Sequence, residues 1–266
     1  MANRIPVVVV PDTDEPGAAE LYVDGTVNGR NYRFLLDTGA ARSSIGLDEF
    51  TAALPSVGEN WSSGVFSQTA DDIVVVDSLR VGPLLRAPFQ FTRSKERAHA
   101  ARSNLLGMDL WREVCCHFRF DCARLDILPT PPTDAFTFQP IHMDQKAHPY
   151  LPIQIAGTVG MAVWDTGASL TVVDASFVRA NARYFTEAAT SLGTDASGTQ
   201  VETPMFVMAD SQIGGHLFPP HRVAAVDLSA VNATLEVPMD LILGYNLYHQ
   251  ANWLFDFPRR RWAISG

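Results

Sequence analysis

The chain has little of what several protein classes require. Three cysteines stand among its 266 residues, Cys115, Cys116 and Cys122. An odd number confined to one short stretch makes no disulfide framework. With His117 they read C-C-H-x4-C. That pattern lacks the paired ligand spacing of closed zinc sites, so buried thiols are expected rather than a metal, and no cofactor is implied. No apolar run approaches the ~20 residues of a membrane helix. In the opening segment MANRIPVVVVPDTDE the apolar run is only Ile5–Val10, with acidic residues close behind. This is short for a secretory signal and gives the expectation of a soluble, cytoplasmic protein. The net charge of -9 offers no general attraction to nucleic acid or anionic lipid. No G-x-S-x-G elbow exists, and the seven histidines form no pattern, which argues against a Ser-His-Asp hydrolase. Glycine and proline are scattered rather than gathered into disordered tracts.

Present instead is a chain, 47% hydrophobic, that repeats itself. FLLDTGAARSSI (Phe34–Ile45) answers AVWDTGASLTVV (Ala162–Val173), with Asp37 and Asp165 offset by 128 residues. Upstream, Val27-Asn28-Gly29 meets Ile155-Ala156-Gly157 at the same offset. Downstream, LLGMDLW (Leu105–Trp111) answers ILGYNLY (Ile242–Tyr248), and FRFDCARLDIL (Phe118–Leu128) answers LFDFPRRRWAI (Leu254–Ile264). A period of roughly 130 residues suits a small domain rather than a solenoid. Two lobes are expected, 1–130 and 131–266. The proline-rich stretch Leu128–Pro149 reads as an extended linker between them.

Strand signals dominate, in Ile73–Gly82, Ala87–Arg93, Tyr150–Trp164 and Thr203–Asp210, all rich in β-branched and aromatic residues. Helical signals are short: Leu47–Leu54, and Asp174–Phe185 with Asp174 or Ser176 as N-cap. The expected fold is all-β.

One Asp-Thr-Gly tripeptide is an ordinary turn. Two, each after an apolar strand and at equivalent places in a repeat, say more. Halves packed about a pseudo-twofold axis bring elements near the axis against their own copies, and so bring Asp37 to Asp165. Two carboxyls in contact cannot both ionise cheaply. One keeps a proton, and the pair holds an acid and a base at one pH. Gly39 and Gly167 permit a tight turn with accessible N–H groups. Thr38 and Thr166 have hydroxyls able to bond across the interface. Ala40 and Ala168 cannot donate to the carboxylates, so the pair is expected to titrate somewhat higher and the pH optimum to be mildly acidic.

These blocks resemble the retropepsin and pepsin superfamily. The DTGA form is similar to the retroviral type, and duplication in one chain is similar to pepsins. The resemblance implies two pseudo-twofold-related β-barrel lobes of six-stranded type, with the apolar-apolar-Gly segments threaded beside the active-site loops. It implies an aspartic endopeptidase, monomeric, taking an extended peptide or unfolded protein. The split carboxyl pair is the established behaviour of such enzymes. It also implies hairpin flaps, at Trp61–Val76 with Ser63-Gly64 near the tip and at Gly193–Met208 with Ser197-Gly198 at the tip. Surface hairpins of no catalytic use are the plainer reading of both. Residues just past DTGA, Ala41-Arg42 and Ser169-Leu170, fall near substrate subsites. There Arg42 either favours an acidic substrate side chain or is simply solvated. Trp164, before the second aspartate, is expected in the core. The alternatives to a peptidase are a non-catalytic peptide-binding module of the same fold and a glycosidase, although a glycosidase needs no symmetric DTG turns.

Overall fold

The computed structural model describes residues 3–63, 68–95, 104–129, 136–194 and 200–265. Among them strands predominate, accompanied by five short α-helices. Three sheets carry the architecture. In the first half the strand order is Ser56–Ser63, Gln68–Val76, Phe89–Arg93, Ser44–Ile45, Leu105–Leu106, Arg30–Leu36, Ala19–Val27, Leu79–Val81 and Leu84–Arg86. In the second it is Phe185–Thr194, Gln200–Met208, His221–Val226, Val172–Asp174, Leu241–Leu243, Thr158–Trp164, Pro149–Ile155, Ser211–Ile213 and His216–Phe218. The two orders correspond strand for strand, each with one further strand on its Ala19–Val27 or Pro149–Ile155 member. Each lobe sheet therefore has ten strands, more than the six-stranded type expected.

Local chemistry sets these elements. In Ala19–Val27 the even-spaced Ala19, Leu21 and Val23 are buried while their neighbours are less so, the period of a half-buried strand. The turn into Arg30–Leu36 is made by Asn28 and Gly29, both at positive φ, as a two-residue hairpin requires. Ala156 and Gly157 make the corresponding turn in the second half. The apolar run from Ile73 to Gly82 is not one strand. It breaks at Asp77-Ser78, where Asn28 donates to the Asp77 carboxylate at 3.0 Å and accepts from the Ser78 N–H at 2.9 Å. Asp174 caps the helix Ala175–Ala180 by accepting the Ser176 N–H at 3.1 Å.

The third sheet belongs to neither half alone. Its order is Arg4–Pro6, Arg124–Leu128, Cys115–Arg119, Asn252–Asp256, Arg261–Ser265 and Gln139–Pro140. At its centre Cys115–Arg119 pairs antiparallel with Asn252–Asp256, so backbone hydrogen bonds join the halves. Within Leu128–Pro149, expected as an extended linker, the described residues 136–149 take part in the sheets. Gln139–Pro140 closes one edge of this sheet, and His142–Met143 pairs with Tyr150 and Pro149. Apolar groups hidden among its prolines cause this: Ile141 is buried and Arg261 lies over the Phe138 ring at 4.2 Å.

Cys115 and Cys116 are buried on this sheet, and adjacent strand residues point to opposite faces. Cys122 is exposed, in a 3-10 turn, against the expectation that all three are buried. No metal-binding cluster occurs among the described residues. No described helix is long and apolar enough to cross a membrane.

Under the shared sheet lies an aromatic cluster. Trp164 is fully buried, with Phe255 at 4.4 Å, Phe118 at 4.8 Å, Tyr248 at 5.3 Å and Trp253 at 5.9 Å between ring centroids. Rings from both halves meet here, and the strand that ends at Trp164 leads directly into Asp165. Phe118→Ala removes the first-half ring from this cluster. Its unfolding free energy in urea is expected to fall by about 3–5 kcal/mol; a loss below about 1 kcal/mol would show that the cluster does not couple the lobes.

Candidate active site

Each Asp-Thr-Gly-Ala segment follows a central strand, and the later apolar-apolar-Gly block runs parallel beside it. Leu105 and Leu106 pair with Leu35 and Leu36; Leu241–Leu243 pair with Ala162–Trp164. The Asp37 N–H donates to Leu106 O at 3.1 Å and the Asp165 N–H to Leu243 O at 3.2 Å. Past each glycine the chain folds onto the loop: Met108 N–H reaches Ala40 O at 2.8 Å, and Tyr245 N–H reaches Ala168 O at 2.9 Å. A Cβ on Gly107 would sit 2.6 Å from the Arg42 carbonyl carbon, and one on Gly244 would overlap Leu170. Glycine is therefore needed at both crossings.

A second pair of polar contacts locks each loop. Ser43 donates its N–H and hydroxyl to the Asp109 carboxylate, the hydroxyl at 2.6 Å, and its Oγ accepts the Gly107 N–H at 3.0 Å. In the other lobe Thr171 donates to Asn246 Oδ1 from its N–H at 2.8 Å and from its hydroxyl at 2.9 Å, and accepts the Gly244 N–H at 3.1 Å. These four side chains were not singled out in the sequence. The repeat carried the signal, since Ser43 and Thr171 share the aspartates' offset and Asp109 and Asn246 each stand two residues past the later glycine.

The two loops then bond to each other. Thr38 N–H donates to Thr166 Oγ1 at 3.0 Å, and Thr166 N–H donates to Thr38 Oγ1 at 3.1 Å. The Thr38 hydroxyl in turn donates to Trp164 O at 2.7 Å. Both threonines are 1% exposed, so these bonds have no competition from water.

The carboxyls of Asp37 and Asp165 meet above this lock, close enough for the titration of each to depend on the other. Gly167 N–H donates to Asp165 Oδ1 at 2.8 Å, and Gly39 N–H donates to the same oxygen at 3.1 Å. A Cβ on Gly39 would overlap the Asp165 carboxyl, and one on Gly167 would lie 2.6 Å from Asp37 Cγ. Each carboxyl is thus seated on the opposite lobe's glycine. Asp37 is buried and Asp165 half-buried. Burial, the charge of Asp165 and the hydrogen bond with it hold the Asp37 carboxyl well above the ordinary carboxylate range. Burial also raises Asp165, opposed by the two glycine N–H groups and by the charge of His148. The pair accordingly keeps one proton where free carboxyls have lost theirs.

Of the other expected site residues, Ala40 and Ala168 stand where expected, supplying only backbone carbonyls to the fold-over contacts. Arg42 is exposed; desolvation raises the half-buried Asp109 carboxyl, opposed by its bonds from Ser43 and, more weakly, by the charge of Arg42. Ser169 is half-buried beside Leu170. Both flap segments are hairpins. Ser56–Ser63 pairs with Gln68–Val76, closing at Ser63 opposite Gln68, and Phe185–Thr194 pairs with Gln200–Met208, closing at Thr194 opposite Gln200. Gly64, Ser197 and Gly198 lie outside the described residues. Trp61, near the end of the first hairpin, is 75% exposed.

Two curled lobe sheets, each delivering one aspartate to a common interface, define the bilobal aspartic-protease type of fold. The aspartyl protease family model matches residues 23–110 and again residues 151–247, together well over half of the chain. The chain belongs to this family. No curated protein matches it.

The raised pair has a thermodynamic sign. A carboxyl whose folded titration lies above its unfolded value binds its proton more tightly when folded. Its contribution is therefore favourable below the ordinary value of 3.8 and is lost as pH rises through the folded value. Asp37→Asn removes that loss. The variant is expected to gain stability over wild type at neutral pH and to show no such gain near pH 3, read from urea unfolding at both. Equal differences at the two pH values would contradict the raised titration.

Proposed function

We propose that the chain is an aspartic endopeptidase, with Asp37 from the lobe of residues 1–130 and Asp165 from that of residues 131–266 as its catalytic pair. The observation that carries this reading is the meeting of two carboxyls, each seated against the opposite lobe's glycine. A water held between them loses a proton to the ionised member as its oxygen attacks a peptide carbonyl. The protonated member gives its proton to the carbonyl oxygen, forming a gem-diol. On collapse the C–N bond breaks, the proton taken from the water passes to the leaving nitrogen, and one diol hydroxyl returns its proton to the carboxylate that had donated, restoring the pair. Neither a metal nor a covalent intermediate is needed in this scheme.

The substrate is an extended peptide laid in the cleft between the lobes under the two hairpins, with exposed Trp61 offering an apolar surface on one of them. Because one chain carries both aspartates, a monomer suffices. Arg42, exposed just past Ala40, would meet an acidic substrate side chain on its own side of the scissile bond.

Asp37→Asn and Asp165→Asn, assayed separately on a proteome-derived peptide library with mass-spectrometric readout, are each expected to lose at least ~10³-fold in cleavage rate. Wild type is expected to be most active in mildly acidic solution. Wild type that binds peptides without cutting any would mark a non-catalytic binding module instead, and cleavage retained by either variant would overturn the paired mechanism.

A further inference from the structure

The two hairpins are attached to their lobes differently. In the first lobe the ladder between Phe89–Arg93 and the hairpin's returning strand runs from Val76 to Asp72, and its last pair is Arg93 with Asp72. Toward the tip, Asp71 to Gln68 pair with Asn60 to Ser63 of the hairpin itself. Arg93 and Asp72 therefore stand at the hinge where the hairpin leaves its lobe. In the second lobe the matching ladder ends at Met205 opposite Ala224. Thr92 and Ala224 are counterparts, since they pair with Ser44 and Val172, which share the aspartates' offset. Arg93 thus corresponds to Ala225. Ile73 faces Thr92 as Met205 faces Ala224, so Asp72 corresponds to Pro204.

A buried cation ties the first hinge. Arg93 is 8% exposed. Its Nη1 donates to Thr51 O at 2.5 Å and Leu54 O at 2.9 Å, carbonyls at the end of the helix Glu49–Ala52. Its Nη2 donates to the Asp72 carboxylate at 2.7 Å. The Ser56 hydroxyl, on the hairpin's outgoing strand, donates to the other Asp72 oxygen at 3.2 Å. One guanidinium so joins the strand that carries it, the helix that follows the Asp37 loop, and the hairpin stem. Lys95 and Glu59 make a second tie on the same stem at 2.6 Å, but it is exposed and contributes little in water. A guanidinium fork shielded from solvent and bonded to a carboxylate contributes more. At the second hinge Ala225 and Pro204 have no side chain that can ionise. Pro204 also has no N–H to give a ladder, and a register shift interrupts the pairing between Met205 and Thr203.

We propose that Arg93 is a positioning residue for peptide hydrolysis: acting through Asp72, it fixes the first-lobe hairpin over the cleft, while the hinge at Pro204 lets the second-lobe hairpin give way as substrate enters. An extended peptide has to pass beneath the hairpins before a water between the carboxyls can attack it. At least one stem must therefore yield, and the stem held by the weaker attachment yields first. The stem that stays is bound to the helix following the Asp37 loop. It keeps the peptide's place relative to that aspartate while the other side closes.

The proposal rests on the peptidase reading, and its test is separable from it. Amide hydrogen exchange of the whole chain is measured by mass spectrometry for wild type, Asp72→Ala, Asp72→Glu and Arg93→Met, beside KM and kcat on one cleaved peptide. In wild type Gln68–Val76 is expected to be protected about tenfold or more over Gln200–Met208. Asp72→Ala is expected to raise exchange in Ser56–Ser63 and Gln68–Val76 by about tenfold, the size of one lost hydrogen bond to a charged group, with the rest of the chain unmoved. Its KM is expected to rise roughly threefold to tenfold with kcat held within about twofold. Asp72→Glu, which keeps the carboxylate, is expected to restore most of both. Wild-type stems equally protected, a folded Asp72→Ala with unchanged exchange in the first stem, exchange raised evenly over the chain, or a raised exchange with KM unmoved overturns the proposal. If Arg93→Met does not fold, the Asp72 variants decide, and if these fail too the wild-type comparison decides alone. If wild type cuts nothing, the peptidase reading falls while the exchange pattern still decides the latch.

Discussion

Everything in this molecule turns on holding two carboxyl groups in contact when, ionised, they repel. A freely moving pair would separate and hydrate. Here the reciprocal bonds between Thr38 and Thr166 tie the loops, and glycines at 39 and 167 let each carboxyl settle on the opposite backbone. Behind them Cys115–Arg119 joins Asn252–Asp256 in one ladder, so the halves cannot drift apart without breaking sheet hydrogen bonds and the aromatic cluster around Trp164. The fold supplies the rigidity, and the contact converts it into chemistry by forcing one proton to stay.

Near-symmetry brings the pair together, and departures from symmetry make its two surroundings differ. The backbone crossings and hydroxyl locks are matched lobe for lobe. The groups in them are not: the first lock is closed by Asp109 and the second by Asn246. A symmetric dimer of one lobe has no such freedom, because a change on one side appears on the other. A single chain can tune each carboxyl by itself.

The aspartates were legible in the sequence because their motif is short, contiguous and repeated, and so were the threonines and glycines within it. Strand content followed from β-branched runs and turn residues, and the two hairpins from the family resemblance. Ser43 with Asp109 and Thr171 with Asn246 were written in the same repeat, but each lock joins positions more than sixty residues apart, and only the threading of the later block shows that they meet. The stretch Leu128–Pro149 misled because its prolines and polar residues have the composition of a spacer. Phe136 against His117, Phe138 under Arg261 and buried Ile141 dock it to the shared sheet, and composition does not reveal docking.

The central claim is a single proton held between Asp37 and Asp165. Neutron diffraction from crystals grown in D₂O at mildly acidic pH observes it directly. The account predicts one deuteron shared by the pair, with the Asp165 carboxyl accepting from the two glycine amides. Two bare carboxylates, two deuterated ones, or side chains turned away from each other would contradict it.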